Sequence, residues 1–228
     1  MINTSLLVKA SETHWLDQFD PEKSLLGGRA YLIAKRIMDL ALVVLSLPLT
    51  APVIGLCALM LKLESPHDPV FFVQLRTGKG GRPFRMFKFR SMVTNAEELK
   101  KELAHLNELQ WPDFKITNDP RVTRVGRILR KTSLDELPQL FNILRGEMSL
   151  VGPRPTSFSP GTYRLWHTER LDVPPGLTGL WQITSRGSSE FDDRLRLDIA
   201  YIERRCLSLD MQILIRTVTA VLEQRGAY

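Results

Sequence analysis

Residues 40–61 read LALVVLSLPLTAPVIGLCALML, an uncharged apolar run that decides how the rest of the chain is arranged. A straight helix of about 22 residues is about 33 Å long, enough to cross the roughly 30 Å of hydrocarbon in a bilayer. Pro48 and Pro52 lie inside the run, and each proline removes a backbone donor and disturbs the preceding turn. The run therefore predicts a membrane segment that either crosses the bilayer or turns back within it.

The charges beside the run favour a segment that turns back. Basic residues lie on both sides of it: Arg29, Lys35 and Arg36 before it, and Lys62, Arg76 and Lys79 after it. Because positive charge marks the cytoplasmic side, this balance predicts that both ends are cytoplasmic, with a break near Ala51-Pro52. A crossing helix stays open, since the hydroxyls of Ser46 and Thr50 can bond the carbonyls that prolines free. A buried helix of a soluble protein is the third alternative.

The composition is that of a folded chain with one core. The chain has 228 residues, of which 43% are apolar, and a formal net charge of +6. That charge favours acidic partners: nucleic acid, anionic lipid or phosphorylated small molecules. The two cysteines, Cys57 and Cys206, and four scattered histidines form neither a disulfide framework nor a zinc spacing, so we expect free thiols.

Residues 1–28 are interpreted as a polar N-terminal extension. Acidic residues interrupt the compact apolar core that a signal peptide needs. Gly27-Gly28 marks a boundary, so we expect an extension at 1–28, a proline-broken membrane helix at 29–63 and a further domain at 64–228. The extension carries four apolar anchors: Leu6, Leu7, Trp15 and Phe19.

The remaining patterns predict an α+β, mainly helical fold with a small β-hairpin. An apolar strand at 70–75, a glycine turn and an alternating stretch at 84–90 form the hairpin. Helical spacing or composition predicts helices near 95–109, 122–131, 135–145, 157–170, 189–205 and 208–224, and loops at 149–155 and 172–187.

The stretch SLDELPQL at 133–140 carries an adjacent carboxylate pair, Asp135 and Glu136. Ser133 followed three residues later by Glu136 is typical of a capping box, and Pro138 in a first turn would make Asp135 the cap. Alternatively, the carboxylates act as a nucleophile or hold a divalent cation. Arg130 and Lys131 would keep them ionised. The residues alone leave both interpretations open.

Two glycine- and proline-rich stretches follow. In SLVGPRP, at 149–155, glycine lets a ligand approach the backbone and prolines stiffen the loop around Arg154, whose guanidinium suits phosphate. The second stretch, PPGLTGLWQ at 174–182, is followed by Arg186. Each stretch has a plain structural alternative: a turn with a solvated arginine for the first, and a loop that packs Trp181 for the second.

Together these stretches resemble the monotopic phosphoglycosyl transferases, a family of bacterial sugar transferases. The resemblance runs from about Lys35 to Tyr228. It rests on KRxxD at 35–39, the proline-broken run, KFRSM at 88–92, SLDELPQ at 133–139, GPRP at 152–155, PGLTG at 175–179 and LD at 197–198.

The resemblance implies a fold with a re-entrant membrane helix, a cytoplasmic catalytic domain and interfacial amphipathic helices. The family usually breaks its helix at Ser-Pro, and here the pair is Ala51-Pro52, so Thr50 would take over the hydroxyl's hydrogen bond. The implied location is the cytoplasmic face of the bacterial inner membrane, in contact with its lipid. The oligomeric state stays open.

The resemblance also implies a reaction and the residues that perform it. Asp135 would be the nucleophile and a Mg²⁺ ligand, and Glu136 would position the metal or activate the acceptor phosphate. The expected reaction moves a sugar-1-phosphate from a UDP-sugar to undecaprenyl phosphate through a phosphosugar–Asp135 intermediate, with release of UMP. Expected substrate contacts are Lys88, Arg90, Arg154, Arg186 and Asp198.

The sequence also bears on the donor sugar and on rival functions. The stretch GLWQ at 179–182 resembles the branch of the family that uses UDP-glucose or UDP-galactose. A membrane-tethered nucleic-acid binder is a rival on the strength of the basic stripe at 121–131, but that stripe lacks interleaved aromatic residues for base stacking. A non-enzymatic scaffold gives no reason for a carboxylate pair beside a Gly-Pro-Arg-Pro loop.

Overall fold

The long apolar run forms one helix, α1 (Gly28–Glu64), in the computed structural model of the chain. The structure describes residues 14–20, 22, 26–108, 114, 116–156, 165–184 and 191–222. Within these ranges, α1 is the helix long and apolar enough to cross a membrane. A membrane-length helix is therefore confirmed. Helical structure continues through Pro48 and Pro52, so the predicted break near Ala51-Pro52 does not interrupt the helix. Its re-entry into the bilayer stays a prediction.

Hydroxyl groups support the backbone of α1 around its prolines. Ser46 Oγ donates to the carbonyl of Val43 at 2.8 Å, and Thr50 Oγ1 donates to the carbonyl of Ser46 at 3.0 Å. Neither acceptor is the carbonyl four residues before a proline, so in this structure the hydroxyls do not bond the freed carbonyls, as the crossing alternative allowed. Each hydroxyl instead bonds back within its own turn.

The hairpin predicted after the membrane helix is present. Strands β1 (Phe71–Thr77) and β2 (Pro83–Phe89) pair antiparallel, with Phe72 opposite Lys88. The turn contains Gly80 and Gly81, both of which adopt positive φ angles that favour glycine.

Within the described ranges, five of the six α-helices after the hairpin agree broadly with the sequence patterns. The polar helix α2 (Ala96–Glu102) is shorter than predicted because a 3₁₀ turn, Leu103–Leu106, replaces its second half. The others are α3 (Arg124–Lys131), α4 (Gln139–Arg145), α5 (Leu180–Thr184), α6 (Phe191–Arg204) and α7 (Leu207–Leu222). Helix α5 was not predicted. A 3₁₀ helix, Leu165–Asp172, occupies the end of the predicted 157–170 helix, whose residues 157–164 lie outside the described ranges.

The two glycine-rich stretches are partly strands, a correction to the predicted loops. Strand β3 (Ser149–Val151) pairs in parallel with β4 (Gly176–Thr178). Three residues are too few for the alternation that identifies a strand in sequence, so their pattern could not be distinguished from a loop.

Three apolar clusters of described residues hold the elements together. One contains Val43 with Met86 and Ile143, and a second contains Cys57 and Leu61 with Phe89 and Leu129. The third joins β3, α5, α6 and α7. The two cysteines are buried free thiols, as predicted.

A short 3₁₀ helix of the N-terminal extension, His14–Gln18, packs on the third cluster. Leu16 is buried within that cluster, and Arg216 lies over the Trp15 ring at 3.9 Å. Arg204 donates to the Leu16 carbonyl and to Asp17. Trp15 and Phe19 pack against the same cluster, whereas Leu6 and Leu7 lie outside the described residues.

Candidate active site

The turn that carries the carboxylate pair does not cap a helix. Ser133 adopts a left-handed backbone with φ 57°, and neither Ser133 nor the residue that precedes α4 makes a side-chain capping bond. Asp135 and Glu136 lie in a 3₁₀ turn, Leu134–Glu136, just before α4. The capping interpretation is therefore wrong, and the two carboxylates are available for other partners.

Glu136 is the point at which distant parts of the chain meet. Its Oε1 accepts hydrogen bonds from Lys88 Nζ at 2.8 Å and from Arg154 Nη2 at 2.5 Å. Burial alone would raise the pKa of Glu136, but the charges and hydrogen bonds of Arg154 and Lys88 outweigh it and hold the pKa far below its usual range. Glu136 is therefore ionised and neutralises part of the positive charge of both cations.

Asp135 differs from its neighbour in its contacts. Among the described residues, its nearest cation is Lys88, whose Nζ lies 3.9 Å from Oδ2, and no side chain donates a hydrogen bond to its carboxylate. Burial raises the pKa of Asp135, and the charge of Glu136 adds to this rise, whereas Lys88 opposes it. A carboxylate whose pKa is raised is a stronger nucleophile than a solvated one, and its free lone pairs can accept a ligand.

Lys88 reaches this site because β2 is held on both edges. Strand β1 pairs along one edge. On the other edge, the buried side chain of Asn142 accepts from the N–H of Phe87 at 3.1 Å and donates to the carbonyl of Arg85 at 2.7 Å. Asn142 thereby substitutes for a third strand next to Lys88. Sequence reasoning missed this residue, although an asparagine within an apolar helix is a signal that can be recognised.

Arg154 is positioned by close contact between the two glycine-rich loops. A Cβ atom on Gly152 would lie 2.7 Å from the Pro174 carbonyl oxygen and 2.9 Å from Gly176 N. A Cβ atom on Gly176 or Gly179 would meet the Gly152 backbone in turn. The glycines therefore let one loop approach the other, which gives Gly152 a structural role, and the approach of a ligand to its backbone stays a prediction.

Behind Arg154 lies a second pair of acidic and basic side chains. Arg170 Nη2 donates to Asp198 Oδ2 at 2.7 Å and to the carbonyl of Arg154 at 2.6 Å. Both side chains of this pair are buried. Burial raises the pKa of Asp198 to about 7, although Arg170, Arg194 and Arg154 oppose the rise. Arg170 was not predicted, because a single arginine in an unremarkable helical stretch gives no signal in sequence.

The other predicted contacts lie elsewhere. Arg90 is buried, and its Nη1 donates to Asp68 at 2.6 Å. Its role as a substrate contact stays a prediction, and Arg186 lies outside the described residues. The structure thus brings together Lys88, Asp135, Glu136 and Arg154, with Asp198 one layer behind them.

The arrangement fits Mg²⁺ as a metal shared with a substrate. Among the described residues there is no cluster of three or more metal-ligating side chains. Mg²⁺ typically uses one or two carboxylates together with water and substrate phosphates. Asp135 offers such a carboxylate, with 13% of its side chain exposed and no hydrogen bond from any side chain that the structure describes.

Comparison with known proteins identifies the family. The family model for bacterial sugar transferases matches residues 30–224. The chain is 41% identical over 208 residues to an undecaprenyl-phosphate galactose phosphotransferase of Salmonella typhimurium (89% of this chain, 43% of that protein). It is 42% identical over 207 residues to a UDP-glucose:undecaprenyl-phosphate glucose-1-phosphate transferase of Caulobacter vibrioides (86% and 72%).

A third relative handles a different sugar. The chain is 39% identical over 211 residues to a UDP-N-acetylgalactosamine-undecaprenyl-phosphate N-acetylgalactosaminephosphotransferase of Aeromonas hydrophila (90% of this chain, 47% of that protein). The chain thus spans about half the length of the Salmonella and Aeromonas proteins. The chain combines a membrane-length helix with a carboxylate pair that meets two cations, and the three relatives are named as a class of proteins that transfer sugar phosphates to a lipid phosphate. Within that class, the chain belongs to the bacterial sugar transferase family.

Proposed function

We propose that this chain transfers a sugar-1-phosphate from a UDP-sugar to undecaprenyl phosphate, the first membrane step in the synthesis of an exopolysaccharide, capsule or O-antigen. The observation that carries the proposal is the gathering of Asp135, Glu136, Lys88 and Arg154 at one point of the fold. Two cations suit a diphosphate, and an open carboxylate suits attack on phosphorus.

In the first step, a carboxylate oxygen of Asp135 attacks the phosphorus that carries the sugar. The bond between that phosphorus and the bridging oxygen breaks, and UMP leaves. Lys88 and Arg154 turn from Glu136 toward the diphosphate and stabilise the negative charge that develops on the leaving phosphate. Asp135 would hold Mg²⁺, whose positive charge would lessen the repulsion between the carboxylate and the dianionic donor.

In the second step, an oxygen of undecaprenyl phosphate attacks the phosphosugar on Asp135. The acyl phosphate bond breaks, Asp135 is restored, and undecaprenyl diphosphate sugar leaves. Before the donor binds, Glu136 is ionised between the two cations, so its role is to hold Lys88 and Arg154 ready for the donor and to receive them again once UMP has left. A carboxylate with so low a pKa is a poor proton acceptor.

The acceptor's lipid tail requires a site at the membrane surface, and we propose that α1 provides it by re-entry. Val43, before the prolines, packs on the catalytic domain, and so does Cys57, after them. Between these points, Leu45 and Leu49 are 76% and 75% exposed, as lipid-facing side chains would be. A crossing helix would carry its second arm to the opposite side of the bilayer, away from the domain on which both arms rest.

Helix α3 supports an interfacial position for the same domain. Ile128 on this helix is 51% exposed, whereas Leu129 is buried in the core. Arginines flank the exposed apolar residue, and an apolar side chain bordered by basic ones suits a surface of anionic headgroups. Glu64, the last residue of α1, accepts a hydrogen bond from Val125 N at 3.0 Å and so fixes this helix beside the membrane segment.

We propose UDP-glucose or UDP-galactose as the donor. The support is the GLWQ stretch at 179–182, in which Gln182 is buried and donates to the carbonyl of Leu177. The test is a panel of UDP-sugars given to detergent-solubilised protein with undecaprenyl phosphate and Mg²⁺, measuring UMP. Release of UMP with a hexose donor supports the proposal. Strict preference for an N-acetylated donor contradicts the choice of sugar, and no release with any donor contradicts the reaction.

A further inference from the structure

The loop that carries Arg154 is fixed at nearly every carbonyl. The Val151 carbonyl accepts from the Tyr201 hydroxyl at 3.2 Å, and the Pro153 carbonyl accepts from the N–H of Gly176 at 2.8 Å. The Thr156 carbonyl accepts from the N–H of Thr77 at 3.1 Å. A proline on either side limits the backbone of Arg154 further.

The Pro155 carbonyl accepts from Arg76 Nη1 at 3.5 Å, the upper limit of hydrogen-bond distance. The Arg154 carbonyl has the shortest of these bonds. It accepts its bond from a charged side chain, Arg170 Nη2, at 2.6 Å. The same nitrogen donates to Asp198 Oδ2 at 2.7 Å. Arg170 and Asp198 are 6% and 1% exposed, so water is largely excluded from the pair. A buried charged bond of this kind is stronger and more directional than a neutral one.

We propose that Arg170 and Asp198 are positioning residues for Arg154. Asp198 holds the guanidinium of Arg170, and Arg170 holds the backbone of Arg154. The side chain of Arg154 is thereby placed to bind Glu136 first and the donor diphosphate during the reaction. Asp198 then acts through Arg170 and Arg154, instead of making the direct substrate contact that the resemblance implied. The inference rests on the proposed function, because it assumes that Arg154 binds the donor.

The geometry explains why the backbone of Arg154 has to be held by Arg170. Arg154 has to leave Glu136 for the diphosphate during the reaction, so its side chain must be free to move while its backbone stays fixed. A bond to the backbone carbonyl restrains the main chain and leaves the guanidinium unhindered. An error of about 1 Å in such a group reduces the rate by roughly 100-fold.

A double-mutant cycle tests the proposal. Arg170→Gln, Arg154→Gln and the double variant are compared for UMP release and, separately, for affinity for UDP measured by calorimetry. We expect Arg170→Gln to reduce kcat/KM for the UDP-sugar by roughly 10- to 100-fold, the effect of losing a charged hydrogen bond. The KM for undecaprenyl phosphate should be unchanged, and Arg170→Lys should recover part of the loss. In the Arg154→Gln background, Arg170→Gln should cause no further loss.

The chain offers a matched control. Arg204 also bridges a carboxylate and a backbone carbonyl, those of Asp17 and Leu16, at a distance from the site. Arg204→Gln should leave UDP affinity unchanged, and thermal unfolding of both variants reports any loss of fold.

The outcomes separate the inference from the proposed function. The positioning role is overturned if Arg170→Gln reduces UDP affinity equally with and without Arg154→Gln. It is also overturned if Arg170→Gln alone leaves UDP affinity unchanged. If the wild type binds UDP and the variants give the expected cycle in UDP affinity, but no UMP is released, the proposed reaction is contradicted and the positioning role of Arg170 is supported. A wild type that binds no UDP overturns both.

Discussion

The carboxylate of Asp39, inside the membrane-length helix, accepts a hydrogen bond of 2.7 Å from Ser149 Oγ, 110 residues further along the chain. Its other oxygen accepts from the N–H of Leu150 at 3.3 Å. Strand β3 therefore starts from a fixed point on α1 and leads directly into the loop of Arg154. Lys35, one turn earlier, pairs with the buried Asp210 at 3.0 Å. The KRxxD motif thus joins the membrane helix to the catalytic domain.

Asp39→Ala should destabilise the protein. The substitution leaves the Ser149 hydroxyl and the Leu150 N–H buried without an acceptor, and each such group costs roughly 1–3 kcal/mol. Ser149→Ala, which removes one of the two bonds, should cost less. Denaturant unfolding in detergent measures the free energies. Ser46→Ala is the control, because its hydroxyl bonds only within α1. An Asp39→Ala variant as stable as this control would show that the hydrogen bonds of Asp39 to Ser149 and Leu150 do not stabilise the protein.

Alanine at Gly152 should reduce both stability and activity. Its Cβ would lie 2.7 Å from the Pro174 carbonyl oxygen, a backbone atom that cannot move without separating β3 from β4. Overpacking of this kind typically costs about 1–3 kcal/mol. Gly55→Ala is the matched control, since its Cβ meets nothing within 4 Å and alanine favours the helix. Thermal unfolding and UMP release together measure the effect, and equal behaviour of the two variants would show that the loops do not need their close approach.

The sequence could predict the elements whose physics is local. The length and apolar character of 40–61 predicted α1, and alternation around a glycine turn predicted the hairpin. The site was predictable only in part, because its geometry depends on contacts between distant segments. Nothing near Arg170 in sequence indicates the Arg154 carbonyl, and Ser133 to Glu136 has the spacing of a capping box. The carboxylate of Glu136 instead pairs with Lys88 and Arg154, because folding brings those cations within reach.

Re-entry of α1 predicts that both of its ends are accessible from the cytoplasm. Single cysteines placed at Leu26 and Lys79 should resist a membrane-impermeant maleimide in intact cells and react in inverted vesicles. A cysteine at Leu49, whose side chain is 75% exposed at the centre of the helix, should react in neither, because lipid covers it. The native thiols are buried and do not compete. Labelling of the two ends from opposite sides would establish a crossing helix.

The raised pKa of Asp198 predicts a pH dependence of stability. This carboxyl group ordinarily titrates near 3.8, and burial raises its pKa in the folded state to about 7. Between these values the unfolded chain has lost the proton and the folded chain keeps it, so this group lowers stability as pH rises from about 4 to about 7. Asp198→Asn removes that trend. The difference in unfolding free energy between variant and wild type should therefore shift in favour of the variant up to pH 7 and stay constant above it. A difference independent of pH would show that Asp198 is ionised throughout.

A covalent intermediate on Asp135 is the sharpest consequence of the proposed mechanism. Given UDP-sugar and Mg²⁺ without lipid, the enzyme should release UMP up to about one equivalent, and its mass should increase by one phosphosugar, because Asp135 can complete the first step alone. Asp135→Asn should abolish both signals and leave the fold intact, since the side chain keeps its size and the wild-type carboxylate receives no hydrogen bond from a described residue. Glu136→Gln should reduce the rate strongly, because Lys88 and Arg154 lose the charge that holds them in place, yet Asp135 remains available to trap some intermediate. Intact-protein mass spectrometry and a UMP assay measure both variants against wild type. Full turnover by Asp135→Asn, or release of UMP only when lipid is present, would favour direct transfer from donor to acceptor in a single step.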